Sequence, residues 1–296
     1  MRRLLIVGCG DVALRAAPLL SRRYRLYALS HTPERHPELR AHHITPIAGD
    51  LDDRRSLRRV AGLAHAVLHL APPPGLGRRD RRTARLLAAL GRRGSLPRVV
   101  LYISTTGVYG DCRGERVPET RRLRPGTDRA RRRVDAEQLL RAFLRRTGVR
   151  VPVLRVPGIY ARERLPLGRL RAGTPALRAD EDAFTNHIHA DDLAMICATA
   201  LSRARPGRVY HAVDESELRM GEYFDAVAEA FGLSRPPRVT REEARAQLPP
   251  ELLSFMGESR RLARDRLRKE LGIRLRYPTV QAALAQMASR PESSST

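Results

Sequence analysis

The chain has 296 residues, 42% of them hydrophobic, and the absence of any run of about 18 apolar residues excludes a transmembrane helix. Its formal charge of +24 comes almost wholly from arginines spread along the chain, with Lys269 as the single lysine, which is typical of a composition bias and argues against nucleic-acid binding as the main function. Three scattered cysteines, Cys9, Cys112 and Cys197, show neither metal-ligand spacing nor a disulfide framework, so we expect a cytoplasmic protein without a metal site.

The first two-thirds of the chain alternate short apolar runs with amphipathic segments. The first run is shorter than the roughly 7–15 apolar residues of a signal peptide, so we interpret it as a β-strand. Apolar strands separated by helices predict an α/β fold, a Rossmann-type doubly wound parallel sheet covered on both faces. The predicted strands are residues 4–8, 24–30, 42–50, 65–71, 98–104, 151–156 and 208–213. The predicted helices are residues 11–22, 53–61, 79–90, 128–146 and 191–201.

Beyond residue 157 the pattern loosens into a predicted small C-terminal substrate subdomain. Prolines and glycines in residues 157–175 predict loops and short elements, and helices are predicted at 220–231, 241–247 and 259–271. We therefore divide the chain into three parts. These are a Rossmann domain over 1–157, with its sheet completed by about 188–215, a substrate-side subdomain over 158–187 and 216–288, and a disordered tail over 289–296.

A glycine turn joins the first predicted strand to the first predicted helix. Gly8 and Gly10 fit the dinucleotide fingerprint G-x-G-x-x-G/A, with Ala13 at its third position, in the strand-to-helix context that the fingerprint requires. The first glycine allows the tight turn and the second lets the backbone approach a pyrophosphate. The helix N terminus at Asp11 and Val12 supplies a partial positive charge. We predict a bound dinucleotide here; a glycine turn without a ligand is the alternative.

The end of the second strand bears on the choice of cofactor. A free ribose 2′-hydroxyl usually meets an acidic side chain about 20 residues past the turn. Ser30 and His31 stand there instead, followed by Arg35. The missing acid and the nearby arginine favour the 2′-phosphate of NADP over NAD, although Arg35 is alternatively one more surface arginine.

Eight blocks of sequence carry a family resemblance and span nearly the whole chain. They are GCGDVA (8–13), GDL (49–51), HLAPP (69–73), ISTTGVYGD (103–111), RVDAEQLL (133–140), LRVPGIY (154–160), IHADDLA (188–194) and LRKELGIRLRYPT (267–279). In this order they resemble the extended short-chain dehydrogenase/reductase superfamily, in particular its NAD-dependent epimerase/dehydratase family. The resemblance implies a Rossmann fold that binds NAD(P), and it leaves the substrate open. The glycine turn departs from the three-glycine spacing usual in this group.

The resemblance implies further cofactor contacts. Asp50 and Leu51 match positions that contact the adenine. His69, Ala71 and Pro72 match the loop beneath the pyrophosphate and the nicotinamide ribose.

Two more blocks match positions close to the reacting atoms. Pro157 and Gly158 match the turn that meets the nicotinamide, and Thr105 matches the hydroxyl that polarises a substrate carbonyl. The block IHADDLA (188–194) carries the acidic pair Asp191 and Asp192, and for Asp191 capping of the following helix is an equally good interpretation.

The main departure from the family lies in the helix predicted over 128–146. The family carries a Tyr and a Lys four residues apart on this helix, and counting back from Glu137 places Arg129 and Arg133 at those positions. A helical wheel puts both arginines within the apolar stripe, toward the cofactor and substrate, whereas Arg131 points away. The stripe consists of Ala136, Leu139, Leu140, Phe143 and Leu144.

The substitution has a chemical consequence, because arginine stays protonated under ordinary conditions. Arg133 can donate hydrogen bonds to a ribose in the lysine's place. Arg129 can hold an anionic substrate or stabilise an oxyanion, but it cannot be the acid. The usual proton relay is therefore absent.

Three functional hypotheses follow. In the favoured one, the protein is an atypical oxidoreductase or a sugar-nucleotide-modifying enzyme whose proton donor is Tyr160, Tyr109, His187 or water, with a structural role the better interpretation of Tyr109. In the second, it binds NADP(H) without turnover, as a sensor or scaffold. A basic nucleic-acid-associated protein is the third, and the aromatic content of 4% leaves few stacking platforms for it.

The expected partner is a small-molecule substrate, with no membrane partner. The arginine-rich segment 162–171 offers a place for an anionic group, although a solvated surface is the favoured interpretation of that segment. The family often pairs through two long helices, so the resemblance also implies a homodimer through residues 79–90 and 128–146.

Overall fold

The structure is a computed structural model that describes residues 1–92, 96–249, 253 and 256–289. In chain order its strands are β1 (Arg2–Val7), β2 (Tyr24–Ser30), β3 (Ile44–Ala48), β4 (Ala66–His69), β5 (Val99–Thr105), β6 (Arg116–Val117), β7 (Val153–Val156), β8 (Gly158–Tyr160), β9 (Ala176–Leu177), β10 (His187–His189), β11 (Val209–His211), β12 (Arg238–Val239) and β13 (Arg261–Leu262). Seven of them form one parallel sheet in the order β11-β7-β5-β4-β1-β2-β3. The predicted Rossmann-type fold is confirmed.

Helices cover both faces of this sheet. In chain order the helices of the described residues are α1 (Asp11–Ser21), α2 (His36–Ala41), α3 (Arg81–Leu90), α4 (Asp128–Thr147), α5 (Leu167–Arg171), α6 (Ala190–Arg203), α7 (Met220–Ala230), α8 (Arg241–Gln247), α9 (Asp265–Leu271) and α10 (Val280–Ala288). One core lies between the sheet and helices α1 and α6, and a second lies between the sheet and helices α3 and α4. Among the described residues, no helix has the length and apolar content needed to cross a bilayer.

The helix predicted over 53–61 is instead a short 3-10 turn, Ser56–Val60. The Ser56 hydroxyl donates to the carbonyl of Asp53 at 2.8 Å, and the Asp53 carboxylate accepts from the N–H of Arg55 at 2.9 Å. Such side-chain bonds to nearby backbone compete with helical hydrogen bonds, so an α-helix does not form.

The C-terminal region also differs from its prediction. The helix expected over 259–271 begins only at Asp265, because Arg261–Leu262 pairs with β6 as strand β13. Helix α10 was not predicted; it begins after Thr279, whose side chain accepts from the N–H of Ala282 at 3.1 Å. The predicted tail falls outside the described residues, apart from Ser289.

The segments predicted as a substrate-side subdomain pack around a core of their own. Its centre is formed by α7 and α10, with α5 beside them. Of residues 188–215, only β11 completes the main sheet, because β10 pairs with β8. Because β8 directly follows β7, its pairing with β10 places the subdomain next to the carboxyl end of β7.

Candidate active site

A cavity of about 680 Å³ opens at the carboxyl ends of β1, β5 and β7. Its Rossmann side includes Gly8, Thr105 and Pro157, and its subdomain side includes Met220 and Phe224. Open α/β sheets bind ligands in crevices at this end of their strands. The volume also lies in the usual range of small-molecule sites, roughly 300–1,000 Å³.

Gly8 occupies a position that only glycine can fill. Its φ is +88°, in the left-handed region that side chains disfavour. A Cβ atom at this position would lie 2.4 Å from the backbone nitrogen of Ala71. The N–H groups of Leu70 and Ala71 both donate to the carbonyl of Val7, at 2.8 and 2.9 Å. Gly8 therefore lets the turn after β1 pack directly on the chain that follows β4.

Gly10 has a different environment, because it faces open space. Its φ of −97° suits any residue, and a Cβ there would meet no atom within 4 Å. Gly10 is the N-cap of α1, and no side chain caps this helix end. The first-turn Asp11 carboxylate is balanced by Arg15 at 2.7 Å and Arg164 at 3.0 Å. This uncapped and unobstructed helix N terminus fits the pyrophosphate of a dinucleotide.

The residues predicted to select the cofactor lie at the carboxyl end of β2, outside the cavity lining. Arg35 donates from Nη1 to the carbonyl of Cys9 at 2.9 Å, so its guanidinium lies beside the glycine turn. It also pairs with Glu38 at 2.9 Å. The Ser30 hydroxyl bonds within its own loop, and His31 is exposed.

The predicted adenine contacts, Asp50 and Leu51, follow β3 and also lie outside the cavity lining. The Asp50 carboxylate accepts from the N–H of Asp52 at 2.8 Å, within its own loop. Leu51 is buried, and its carbonyl accepts from Arg85 at 3.1 Å.

His69, Ala71 and Pro72 form the chain that packs beneath the glycine turn. His69 is buried with its Nε2 2.9 Å from the Thr83 hydroxyl, and burial, reinforced by the nearby Arg133 charge, lowers its pKa to about 3. His69 is therefore neutral at physiological pH. Of this segment it is Leu70 that lines the cavity.

Arg133, at the family's lysine position, lines the cavity and is half-buried. Its Nη1 donates to the Ile103 carbonyl and to the Tyr102 hydroxyl, both at 2.9 Å, and its guanidinium lies 5.6 Å from the centre of the Tyr102 ring. Burial raises the pKa of Tyr102 to about 12, so the phenol keeps its proton. Arg133 thus ties α4 to the end of β5 and keeps a positive charge at the cavity wall.

Arg129 and Thr105 also line the cavity, as the helical wheel and the family pattern predict. Arg129 is exposed, and the Thr105 hydroxyl accepts from the N–H of Gly107 at 3.3 Å. The most buried arginine of α4 is Arg132, at 7% exposure, which donates to the carbonyl of Gly77 at 2.6 Å. The helical wheel does not predict the burial of Arg132, because this burial depends on Gly77, which lies in a loop far away in sequence.

Glu258 is a cavity residue that sequence reasoning missed. A Cβ on Gly107 would lie 3.7 Å from the Thr105 hydroxyl and 3.9 Å from Glu258 Oε2, so both groups lie beside Gly107. The same carboxylate pairs with Arg260 at 2.9 Å. Glu258 follows α8 in sequence, and no motif there signals that the chain returns to β5.

Two tyrosines predicted as proton donors lie outside the cavity lining. Tyr109 is buried, with its hydroxyl 2.6 Å from Nε2 of His211 and accepting from Arg155 at 2.5 Å, as a structural residue would be. Tyr160 was also predicted to be catalytic, but β8 turns its ring into the subdomain, where it is 1% exposed and packs edge-on against His189. The structure therefore removes both hydroxyls from the cavity.

His187, the third predicted donor, does line the cavity. Its ring stacks on Tyr223 at 4.1 Å, and burial lowers its pKa to about 3. A neutral imidazole can form hydrogen bonds with a ligand but is a poor acid near neutral pH. Pro157 and Gly158 line the same wall, where a Cβ on Gly158 would lie 3.2 Å from the His187 ring.

The arginine-rich segment 162–171 is partly a cavity wall, which corrects the favoured interpretation of a solvated surface. Arg164 and Arg169 both line the cavity; Arg169 is half-buried, whereas Arg164 is exposed, and Arg171 is exposed outside the cavity lining. Positive side chains therefore face the subdomain end of the site.

A model of the NAD dependent epimerase/dehydratase family matches residues 14–213. The chain belongs to this family. The matched region begins just after the glycine turn and includes α4 with its two arginines. Members of the epimerase/dehydratase family bind NAD(P), and the cavity geometry at Gly10 fits that cofactor class. No curated protein matches the chain.

Solved structures of the family resemble the whole chain. A functionally unknown conserved protein from Silicibacter pomeroyi is 30% identical, with a TM-score of 0.82, over 97% of this chain and 98% of that one. A dTDP-glucose 4,6-dehydratase from Bacillus anthracis, solved with NAD, is 15% identical, with a TM-score of 0.78 and coverages of 97% and 96%. A UDP-glucose 4-epimerase from Thermotoga maritima, solved with UDP-glucose, is 17% identical, with a TM-score of 0.77 and coverages of 97% and 97%. The last two similarities show the fold.

Proposed function

We propose that the protein is an NADP(H)-dependent oxidoreductase of the epimerase/dehydratase family that works without the usual Tyr–Lys pair. The observation that carries this proposal is the placement of Glu258 and Thr105 next to Gly107, all three in the lining of the cavity. A carboxylate can exchange a proton with a substrate, and a neighbouring hydroxyl can hold the reacting oxygen. Neither Arg129 nor Arg133 can exchange a proton near neutral pH.

The cofactor would be held along the carboxyl edge of the sheet. Gly10 and the N terminus of α1 would accept the pyrophosphate, and Arg133 would donate hydrogen bonds to the nicotinamide ribose in the lysine's place. The nicotinamide, when bound, supplies or accepts a hydride. Pro157 and Gly158 form the wall against which its ring would lie.

The chain's own proton chemistry then centres on Glu258. Its carboxylate pairs with Arg260 at 2.9 Å, and a carboxylate can act as a general base. Glu258 accepts the proton of a substrate hydroxyl in the oxidation direction and returns it in the reduction direction. Thr105 donates a hydrogen bond to the same substrate oxygen and thereby orients it.

The preference for NADP rests on Arg35. Its guanidinium lies beside the glycine turn through the bond to Cys9, and the carboxyl end of β2 carries no acidic side chain that would repel a 2′-phosphate. Glu38 already pairs with this arginine, so a 2′-phosphate would share it with Glu38.

The proposal is tested by titrating the protein with NADPH and with NADH and following nucleotide fluorescence. Saturable binding, tighter for NADPH, is expected, and absence of binding by both would contradict the proposal. Candidate hydroxy compounds are then screened for NADP⁺ reduction. Glu258→Gln should lower turnover about 10²- to 10⁴-fold, the usual contribution of a general base, without changing NADPH affinity.

A second candidate is an NADP(H) sensor or scaffold without turnover. The observation that favours it is that Arg133 donates hydrogen bonds to the Ile103 carbonyl and the Tyr102 hydroxyl, as a purely structural residue would. In that case NADPH binds, but neither the wild type nor Glu258→Gln reduces NADP⁺ with any compound of the screen.

We also propose a small-molecule substrate and a homodimer formed through α3 and α4. Sedimentation of the purified protein tests the dimer. The alternative of nucleic-acid binding predicts retention on polyanions that falls steeply with salt. If retention on polyanions disappears at physiological salt, it reflects only unspecific attraction by the +24 charge and contradicts nucleic-acid binding as the function.

A further inference from the structure

Arg169, on α5, is a half-buried cation at the subdomain end of the cavity. Its guanidinium lies 4.3 Å from the centre of the Phe224 ring, and Nη2 donates to the carbonyl of Pro175 at 2.8 Å. Its Nε is buried and has no hydrogen-bond partner. Burial alone lowers the pKa of this arginine below its usual value. The side chain is therefore held in place while part of its hydrogen-bonding capacity is unused.

Other cavity arginines on the same walls have carboxylate partners. Arg164 lies 3.0 Å from Asp11, and Arg260 lies 2.9 Å from Glu258. Within the part of the chain that the structure describes, no carboxylate forms an ion pair with Arg169. Removing a cation from water without a counter-ion costs free energy, and an anion entering the cavity would offset that cost.

Apolar side chains contribute to the subdomain end of the cavity. Ala183, Phe184, Met220 and Phe224 are in its lining, and the Phe224 ring contacts Arg169. The N–H of Met220 donates to the carbonyl of Ala183 at 3.0 Å, so the start of α7 and the chain before β10 are fixed to each other. These side chains offer preformed contact area for hydrocarbon.

We propose that this end of the cavity binds a small acid with an apolar body. Arg169 pairs with the carboxylate or phosphate, and Phe184, Met220 and Phe224 contact the apolar part. The inference rests on the proposed function, because the same cavity must hold the cofactor. The whole cavity has a volume of about 680 Å³, and a nicotinamide half on its Rossmann side would leave only part of this volume, which suits a small molecule.

The test compares three probes of similar shape on the full-length protein. Benzoate and phenyl phosphate carry the two acid groups on an apolar ring, and benzamide is a neutral analogue of benzoate. The midpoint of thermal unfolding, Tm, is measured with millimolar probe at constant ionic strength, with and without NADPH. At least one acid is expected to raise Tm, while benzamide does not, because only a ligand that binds the native state stabilises it. The acid that acts at the lower concentration identifies the preferred group.

Arg169→Met and Arg171→Met form a matched pair on the same helix. Arg171 is exposed, so its replacement removes an equal charge outside the cavity. The dissociation constant of the acid is expected to rise at least about tenfold in Arg169→Met, as for loss of a charged hydrogen bond, and to stay unchanged in Arg171→Met. Without probes, Arg169→Met should match or exceed the wild-type Tm, because methionine keeps the packing on Phe224 and removes an unpaired cation.

Equal stabilisation by benzoate and benzamide, or an acid effect that survives in Arg169→Met, would overturn the inference. A decrease of several degrees in the Tm of Arg169→Met without probes would also overturn it, because this arginine would then stabilise the fold rather than bind a ligand. The proposed function is judged separately, by whether the wild type binds NADPH in the fluorescence titration. If the wild type binds NADPH but the acid probes and benzamide change Tm equally, the acid site is contradicted and the proposed function is not.

Discussion

Glu137 and Arg155 form an ion pair that is almost fully enclosed beneath the cavity, with both side chains 1% exposed. Arg155 donates to the two carboxylate oxygens at 3.1 and 2.7 Å, and the Ser104 hydroxyl donates to the same carboxylate at 2.7 Å. The pair joins α4, β7 and the end of β5, and Ser104, which bonds to it, lines the cavity. It therefore holds this part of the cavity wall in place.

Removing one partner of this pair should destabilise the protein strongly. Glu137→Gln leaves the Arg155 charge buried without a counter-ion, and we expect a loss of about 3–5 kcal/mol in the free energy of unfolding. Urea unfolding measures it. Glu229→Gln, which breaks an exposed pair with Arg235, is the control and should change stability by less than about 1 kcal/mol. Equal small effects in both variants would contradict the enclosure of the pair.

The two glycines of the turn should respond differently to alanine. Gly8→Ala forces a side chain into the left-handed region and against Ala71, so we expect a loss of about 1–3 kcal/mol from backbone strain alone. Gly10→Ala meets no atom and should leave Tm unchanged, while weakening NADPH binding about tenfold or more by filling the approach to the helix N terminus. Thermal unfolding and fluorescence titration separate the two effects. A stable Gly10→Ala variant with unchanged NADPH affinity would place the pyrophosphate elsewhere.

Arg35→Ala should reduce the discrimination between the two nucleotides. Loss of a charged contact to a 2′-phosphate, about 1.5–3 kcal/mol, weakens NADPH binding by more than tenfold and leaves NADH binding nearly unchanged. Arg40→Ala, an exposed change on α2, is the matched control. If both nucleotides weaken equally, Arg35 acts through the Cys9 carbonyl and the shape of the glycine turn.

Asp214 should make stability depend on pH. Burial raises its pKa to about 7, whereas the unfolded carboxyl titrates near 3.9. The folded protein keeps a proton that the unfolded chain has lost, so this residue's contribution to stability falls as pH rises from about 4 to about 7 and is constant above.

Asp214→Asn removes this titration while Tyr160, Asp192, Ser216 and Tyr223 still surround the side chain. Urea unfolding of both proteins across that range should show the variant gaining stability relative to wild type as pH rises, by at most about 4 kcal/mol. The comparison between proteins cancels opposite contributions from buried histidines such as His187. Parallel curves would show that the carboxyl is ionised when folded.

The sheet could be predicted from sequence because most of its strands are short apolar runs. Parallel strands that are buried on both faces show such runs rather than an alternation of apolar and polar residues. The glycine turn could be predicted equally well, since backbone geometry requires glycine at Gly8 and Gly10 follows it at the fixed spacing of the fingerprint. The positions of Arg129 and Arg133 on the cavity wall followed from helical periodicity counted from Glu137.

Long-range placement could not be predicted in the same way. Glu258 lies beside Gly107 in the chain segment that leads into β13, which pairs with β6, and a two-residue strand leaves no periodic pattern in the sequence. Tyr160 was misplaced because alternation along β8 decides which side it faces, and three residues are too few to show that alternation. Arg169 was hidden among many arginines, and only its burial distinguishes it.

The pairing of β13 with β6 also bears on synthesis of the chain. These strands are separated by about half of the sequence, whereas β1 and β2 with the glycine turn lie together at the start. Domains fold as units while the N-terminal part leaves the ribosome first, at roughly 5–20 residues per second. Leu267 and Leu271 pack in the core between the sheet and helices α1 and α6, so that core is completed only after residue 258 has been synthesised. A product terminated before Glu258 would therefore lack part of this core as well as the carboxylate.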